Sequence, residues 1–222
     1  MVELDYMVRE RVSSEAVSSS ALQVSEIGEQ REKFYTELLF GGKKTWEKYA
    51  GIAREVLLKT LEGEMVSYGI TVGLAMLEAE FSSASTVICL LRSKQDGNII
   101  GFSSYEPATT ELLRWNDVFE HERQDRKMRR GEFDDLQKRT ASFGWTAILP
   151  DFRHQGGWSM LMDTMEERLK EDRRYTFMVR NVRTANDYAA KIARRYASNI
   201  VYSTPIDGGS FGPQIYFRAR VA

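Results

Sequence analysis

The sequence predicts an α/β fold of the α+β kind in one domain, residues 1–222, and three observations carry that expectation. Strand-like and helix-like hydrophobic patterns alternate along the chain. Two apolar runs, 86–92 and 98–105, are joined by Lys94-Gln-Asp-Gly-Asn98. The stretch 145–162, WTAILPDFRHQGGWSMLM, reads as a short strand, a turn, and paired glycines opening an amphipathic helix. A chain of 222 residues buries a substantial core, and its 42% hydrophobic and 28% charged residues are those of an ordinary globular protein.

Taken in order, residues 4–12 alternate well enough for a first strand, and Ser13 or Ser14 can cap a helix after it. From 21 to 40, Leu22, Ile27, Phe34, Leu38 and Leu39 fall at mostly helical intervals before Gly41-Gly42, so a helix is expected. A second helix is expected over 45–61, with Trp46, Tyr49, Ile52, Ala53, Val56 and Leu57 on one stripe. Residues 67–81 begin with the extended-looking Tyr68-Gly-Ile-Thr-Val-Gly and end in helix formers, so only their second half is expected to be helical. The runs 86–92 and 98–105 form a β-hairpin, Asp96-Gly97 supplying the turn position that needs φ > 0.

After Pro107 comes a charged insertion, about residues 108–139. Leu112, Leu113, Trp115, Val118 and Phe119 give it an apolar helix face. Its basic run 123–130 is nearly balanced by Glu120, Glu122, Asp125, Glu132, Asp134 and Asp135. That balance argues for a solvated helical pair over a nucleic-acid footprint. Residues 142–149 then form a strand, and the helix after the glycines turns Leu161, Met162, Met165 and Leu169 inward. A strand over 175–180, a helix over 185–197 burying Ala189, Ile192, Ala193 and Tyr196, and strands over 200–204 and 214–221 complete the chain.

A net charge of −1 offers nucleic acid or an anionic membrane no global attraction. No apolar run is long enough to span a bilayer, and the opening Met1-Val-Glu-Leu-Asp-Tyr lacks the basic and apolar regions of a signal peptide, so a cytoplasmic protein is expected. The single cysteine, Cys89, permits no internal disulfide and reads as a buried strand residue.

The glycine stretch has a chemical use. Gly156 and Gly157 let the backbone approach a ligand, the first amides of the helix have no intrahelical partner, and the helix dipole favours negative charge, so phosphate is the natural guest. Ile148-Leu149-Pro150, followed by Arg153-His-Gln-Gly156-Gly157 and then Leu161, resembles motif A of the GCN5-related N-acetyltransferase (GNAT) superfamily. Arg153 and Gly156 match, whereas Trp158 stands where that motif has its second small residue. The resemblance extends from about residue 86 to the end by element order and motif, and before that by order alone.

It implies a mixed sheet flanked by helices and splayed where the motif A strand parts from the 175–180 strand, with the helical insertion preceding the motif A strand. It also implies acetyl-CoA as co-substrate and no metal. The pantetheine arm would lie along Thr146, Ala147 and Ile148. The diphosphate would meet the amides of His154, Gln155, Gly156, Gly157 and Trp158 beside Arg153, with Asn186 also on the cofactor side. The implied reaction is attack of a neutral amine on the thioester, which needs a proton acceptor, a polariser of the thioester oxygen and a proton donor for the thiolate. Backbone N–H groups around Ile148 fit the second task. Glu106 is the candidate base, a plain surface carboxylate being the alternative; His154 belongs near phosphate and His121 in solvent.

In the family's Asn-x-x-Ala-x-x-Leu-Tyr pattern, Asn186 and Ala189 match and Ile192 replaces leucine, but Ala193 occupies the tyrosine position; Tyr196, a turn on, reads as core. That alanine, the insertion and the last loop look similar to the arylalkylamine N-acetyltransferase branch, although Phe40-Gly-Gly-Lys43 lacks the branch's acidic-residue-proline pair. Three functions stay open: acetyl transfer to a small-molecule primary amine, acyl-CoA binding without catalysis, and protein-lysine or polyamine acetylation. The insertion is expected to cover the acceptor side of the cleft, with sheet-edge packing or a homodimer contact as the competing account.

Overall fold

The computed structural model describes residues 32–61, 67–109, 113–184, 192, 195–207 and 212–221. In chain order these form β1 (Phe34–Phe40), α1 (Lys43–Leu61), α2 (Ser67–Ser82), β2 (Val87–Ser93), β3 (Ile99–Pro107), α3 (Leu113–Asp125), α4 (Arg130–Lys138), β4 (Thr140–Ile148), α5 (Gly157–Glu171), β5 (Phe177–Arg183), β6 (Ile200–Ile206) and β7 (Gln214–Arg220). The strands make one mixed sheet in the order β1-β2-β3-β4-β5-β7-β6. Every neighbouring pair is antiparallel except β4 and β5, the pair joined through α5, because parallel strands need a crossover.

Helices cover both faces, so the central strands are apolar on both sides. Along β2, Ile88 and Leu90 pack under α1 and α2 with Phe102 and Ala147, while Cys89 and Leu91 pack under α5 with Ile100 and Phe143. The stripe expected on the 45–61 helix is the one buried: Tyr49, Ala53, Val56 and Leu57 face the sheet. The Asp96-Gly97 hairpin forms as expected, with Gly97 at φ 72°.

Two element expectations are overturned. Residues 34–40 are not the end of a helix but strand β1, paired along its whole length with β2 from Phe34↔Ser93 to Phe40↔Val87. The partner is distant in sequence and the strand lies at a sheet edge, leaving Leu38 and Phe40 exposed, so the local apolar spacing was a poor guide. Helix α2 starts at Ser67, making its first half helical as well. Its apolar residues are not confined to one stripe, which weakens the periodic signal. The strand expected over 4–12 and its serine cap lie outside the described residues. So do Asn186, Ala189, Ala193 and Leu112, and the side chains of Leu113 and Trp115.

The insertion packs over β5 and β7, where Phe119, Phe133 and Leu136 meet Val179 and Tyr216. Glu122 corrects the expectation of a wholly solvated helical pair, because it is fully buried. Its carboxylate accepts hydrogen bonds from Arg218 Nε (2.7 Å) and Nη2 (2.8 Å), Tyr216 Oη (2.6 Å) and Arg126 Nη1 (2.8 Å). Arg218, equally buried, also donates to Thr140 Oγ1. Among the described residues, no helix is long and apolar enough to cross a membrane.

Candidate functional site

β4 pairs with β5 only at Thr140↔Phe177, Ala141↔Met178 and Ser142↔Val179, yet it continues to Ile148. Beyond Ser142 the strands part, leaving the outer edge of β4 open. Leu149 N–H donates to Ile100 C=O on the β3 side (2.9 Å), so strand alternation turns the N–H groups of Ile148 and Thr146 toward the open edge.

That edge runs through a 3₁₀ turn, Pro150–Phe152, into the glycine loop. His154 (φ 61°) and Gly156 (φ 82°) take left-handed backbone, which curls the loop onto the start of α5. Gly156 is the N-cap and contributes no side-chain cap, and the amides of Gln155, Gly156 and Gly157 donate to no other described residue. Gly157 sits so close to the sheet that a Cβ there would meet Leu91 Cδ2 at 2.6 Å. The result is an anion cup at the positive end of a helix, continuous with a strand edge that β5 leaves unpaired.

A β-bulge shapes the middle of that edge. Thr146 pairs with Ser103 and Phe143 with Tyr105, so Gly144 and Trp145 together face Ser104 alone. The extra residue shifts the alternation. Phe143 and Ile148 lie in the α5-side core, whereas Trp145 and Ala147 lie under α1 and α2.

No protein-family model matches the sequence, and no curated protein matches it significantly. Solved structures do match. The chain is similar to a protein of Desulfovibrio desulfuricans assigned to the GNAT acetyltransferases, at 12% identity over 85% of this chain and 100% of that one, with a TM-score of 0.54. It is also similar to an assigned acetyltransferase of Acinetobacter baylyi ADP1, at 14% identity over 84% of this chain and 92% of that one, with a TM-score of 0.56. A third is the ribosomal-protein-S18-alanine N-acetyltransferase of Escherichia coli, at 13% identity over 85% and 95%, with a TM-score of 0.50. The chain has the GNAT fold.

Within this GNAT frame the sequence-predicted cofactor residues are placed unevenly. Thr146, Ala147 and Ile148 line the open edge, and residues 154–158 form the cup. Arg153 turns away from the cup: its guanidinium donates to Ile148 C=O (3.3 Å) and Thr60 C=O (3.0 Å), bracing the loop against the end of α1. The Gln155 side chain likewise turns back, onto Asp151 C=O (2.8 Å). His154 and His121 are exposed.

The α5 side of the splay holds a cation that the motifs did not flag. Arg180 is buried at 5% exposure on β5, one residue past the last β4–β5 pair. Its guanidinium reaches across the gap to Thr146 Oγ1 (2.7 Å), touches Met162 Sδ (3.0 Å) and lies over the Phe143 ring (5.5 Å). Thr146 Oγ1 in turn meets Ser103 Oγ at 2.9 Å. Among the described residues no carboxylate lies within ion-pair distance of Arg180. Burial pulls its pKa down from the ordinary arginine value, opposed by the charges of Tyr196 and Glu166.

The opposite side of the bulge holds a buried carboxyl group, also missed. Glu80, buried on α2, accepts a hydrogen bond from Ser104 Oγ (2.7 Å) and a longer one from Trp145 N–H (3.4 Å). It comes so near β4 that a Cβ on Gly144 would lie 2.4 Å from its carboxylate, so any side chain there would have to displace Glu80. Glu106 is buried too and pairs with Ser142 at the point of splay, where Asn181 Oδ1, on β5, is buried without a hydrogen-bond partner.

Two remaining candidates are placed in the packing. Burial pushes the Cys89 thiol up to about 12, which suits a core residue and not a nucleophile. Tyr196 is buried in the core, and its hydroxyl donates to Glu166. Among the described residues, no three His, Cys, Asp or Glu side chains are grouped to hold a metal ion. Sequence did carry a signal for the two missed charges. Arg180 alternates with the core residues Met178 and Val182, and Glu80 follows Leu77 by three and precedes Phe81, so both fall on inward positions.

Proposed function

We propose that this protein is an acyl-CoA-dependent N-acetyltransferase that moves the acetyl group of acetyl-CoA to a primary amine of a small molecule. The observation that carries the reading is the continuous surface formed by the open β4 edge and the uncapped amides at the start of α5. An extended amide-containing arm fits the first as an added strand, and a diphosphate fits the second.

The amine approaches from the side of α1, α2 and the insertion, where Glu80 and Glu106 stand. Their charge favours a cationic amine on arrival, and one of them, directly or through water, takes the proton that the amine must shed. Glu80 is the better placed, lying against the bulge. The N–H groups of Thr146 and Ile148 polarise the thioester oxygen, the C–N bond forms, and the C–S bond breaks with its electron pair going to sulfur. The insertion, covering the neighbouring part of the same face, bounds the acceptor.

The test is thiol release from acetyl-CoA across a panel of aryl, alkyl and polyamine acceptors and lysine peptides, with mass spectrometry of products. Acetylation of a small monoamine supports the proposal. Transfer only to polyamines or peptides replaces the acceptor class. CoA binding with no transfer to any acceptor leaves a binding domain, and absence of CoA binding overturns the reading.

A further inference from the structure

We propose that Arg180 is the receptor for the sulfur anion released in the reaction, an electrostatic device in the position where a proton donor is otherwise needed. The inference rests on the acetyl-CoA reading of the cleft. A buried guanidinium is costly unless a counter-charge meets it; among the described residues no carboxylate pairs with Arg180, and Glu166, whose charge it feels, is taken up by Arg195 and Tyr196. Arg180 therefore has unspent capacity to attract an anion in a water-poor place, where such attraction is strong.

Location names the anion. Arg180 is held on Thr146, whose backbone N–H faces the open edge, so the cation lies beside the groups that polarise the thioester. It is on the α5 side, the side of the anion cup, while Glu80 and Trp145 lie on the other side of the bulge. An acceptor carboxylate coming from the Glu80 side would have β4 between it and Arg180. Sulfur at the end of an arm laid along β4 would not. When the tetrahedral intermediate collapses, the C–S electron pair becomes a thiolate, the amine proton has already gone to a carboxylate or water, and the guanidinium neutralises the thiolate without giving up a proton. Charge and atoms balance, and no tyrosine is required at Ala193.

The decisive measurement is the ionisation of CoA bound to the wild-type protein, followed by thiolate absorbance against pH with the desulfo-CoA complex as blank. An opposite charge this close should give tenfold to hundredfold more thiolate at a given pH than free CoA. Arg180→Met should abolish that excess and lower kcat about 10- to 100-fold with KM for acetyl-CoA little changed, and Arg180→Lys should restore part of both. Bound CoA that ionises like free CoA overturns the inference while leaving the cofactor reading intact. Failure of wild-type protein to bind CoA overturns both. The wild-type titration decides even where a variant does not fold.

Discussion

Arg218 and Arg180 occupy adjacent strands, β7 and β5, one register step apart, and face opposite sides of the sheet. Each is buried and each lies over a phenylalanine ring, Phe133 for Arg218 and Phe143 for Arg180. They differ in company. Arg218 meets Glu122 through two nitrogens and finds Thr140 and Tyr216 around it, so its charge is cancelled within the fold. Arg180 meets a hydroxyl, a thioether and a ring, while the buried Glu80 stands across the bulge on the other side of β4. In one region cation and anion join an insertion to the sheet; in the other, opposite charges are kept on separate sides of a single strand. A buried arginine is thus no mark of function by itself. The informative feature is which groups surround it.

The comparison breaks most visibly at Glu122. Replacing Glu122 with alanine strands the Arg218 charge in the core and should cost about 3–5 kcal/mol, read as a lower urea midpoint. Arg180→Met removes a charge with no carboxylate partner, so its midpoint should hold or rise; an equal drop in both variants would erase the distinction. Next in size is the Glu80→Gln variant, for which kcat/KM should fall about 100-fold at neutral pH and less in alkali, where the amine sheds its proton unaided. A loss independent of pH would make Glu80 a packing residue.

A smaller effect sharpens the electrostatic side. Burial raises the Glu122 pKa, but the hydrogen bonds and charge of Arg218 outweigh it and leave the carboxyl below its ordinary value of 4.5. A depressed carboxyl stabilises the fold fully above about pH 4.5, and that contribution drains as acid protonates it. Stability of the wild type should therefore fall more steeply below pH 4.5 than that of Glu122→Met/Arg218→Met, and parallel curves would show that the pair does not carry the acid sensitivity. Smallest is Glu106→Gln, expected to slow the reaction severalfold near neutrality and hardly at all at high pH. No change at any pH would leave Glu106 a buried structural carboxylate.

What the sequence disclosed was whatever repeats locally. The α1 stripe, the Asp96-Gly97 hairpin and the strand, loop and helix around Gly156 are each written in neighbouring residues, and each forms as expected. β1 was misread because its partner lies far along the chain and its edge position leaves large apolar residues exposed. Arg180 and Glu80 were passed over for a related reason. A charged residue in an amphipathic pattern looks solvated until the layer above it is known. Glu122 illustrates the same error with a structural outcome, since its burial depends on Arg218, which lies on β7 near the end of the chain.

The bulge at Gly144-Trp145 has a consequence for how β4 can change. Alternation along a strand acts as a two-letter reading frame, and the bulge is a frameshift built into the middle of it. Losing Gly144 would leave Trp145 alone opposite Ser104 with Thr146 still on Ser103, so the frame beyond the bulge would hold and only the kink would go. Between Thr146 and Ile148, by contrast, a one-residue insertion or deletion would turn the side chains that follow to the other face. There the number of residues matters as much as their identity.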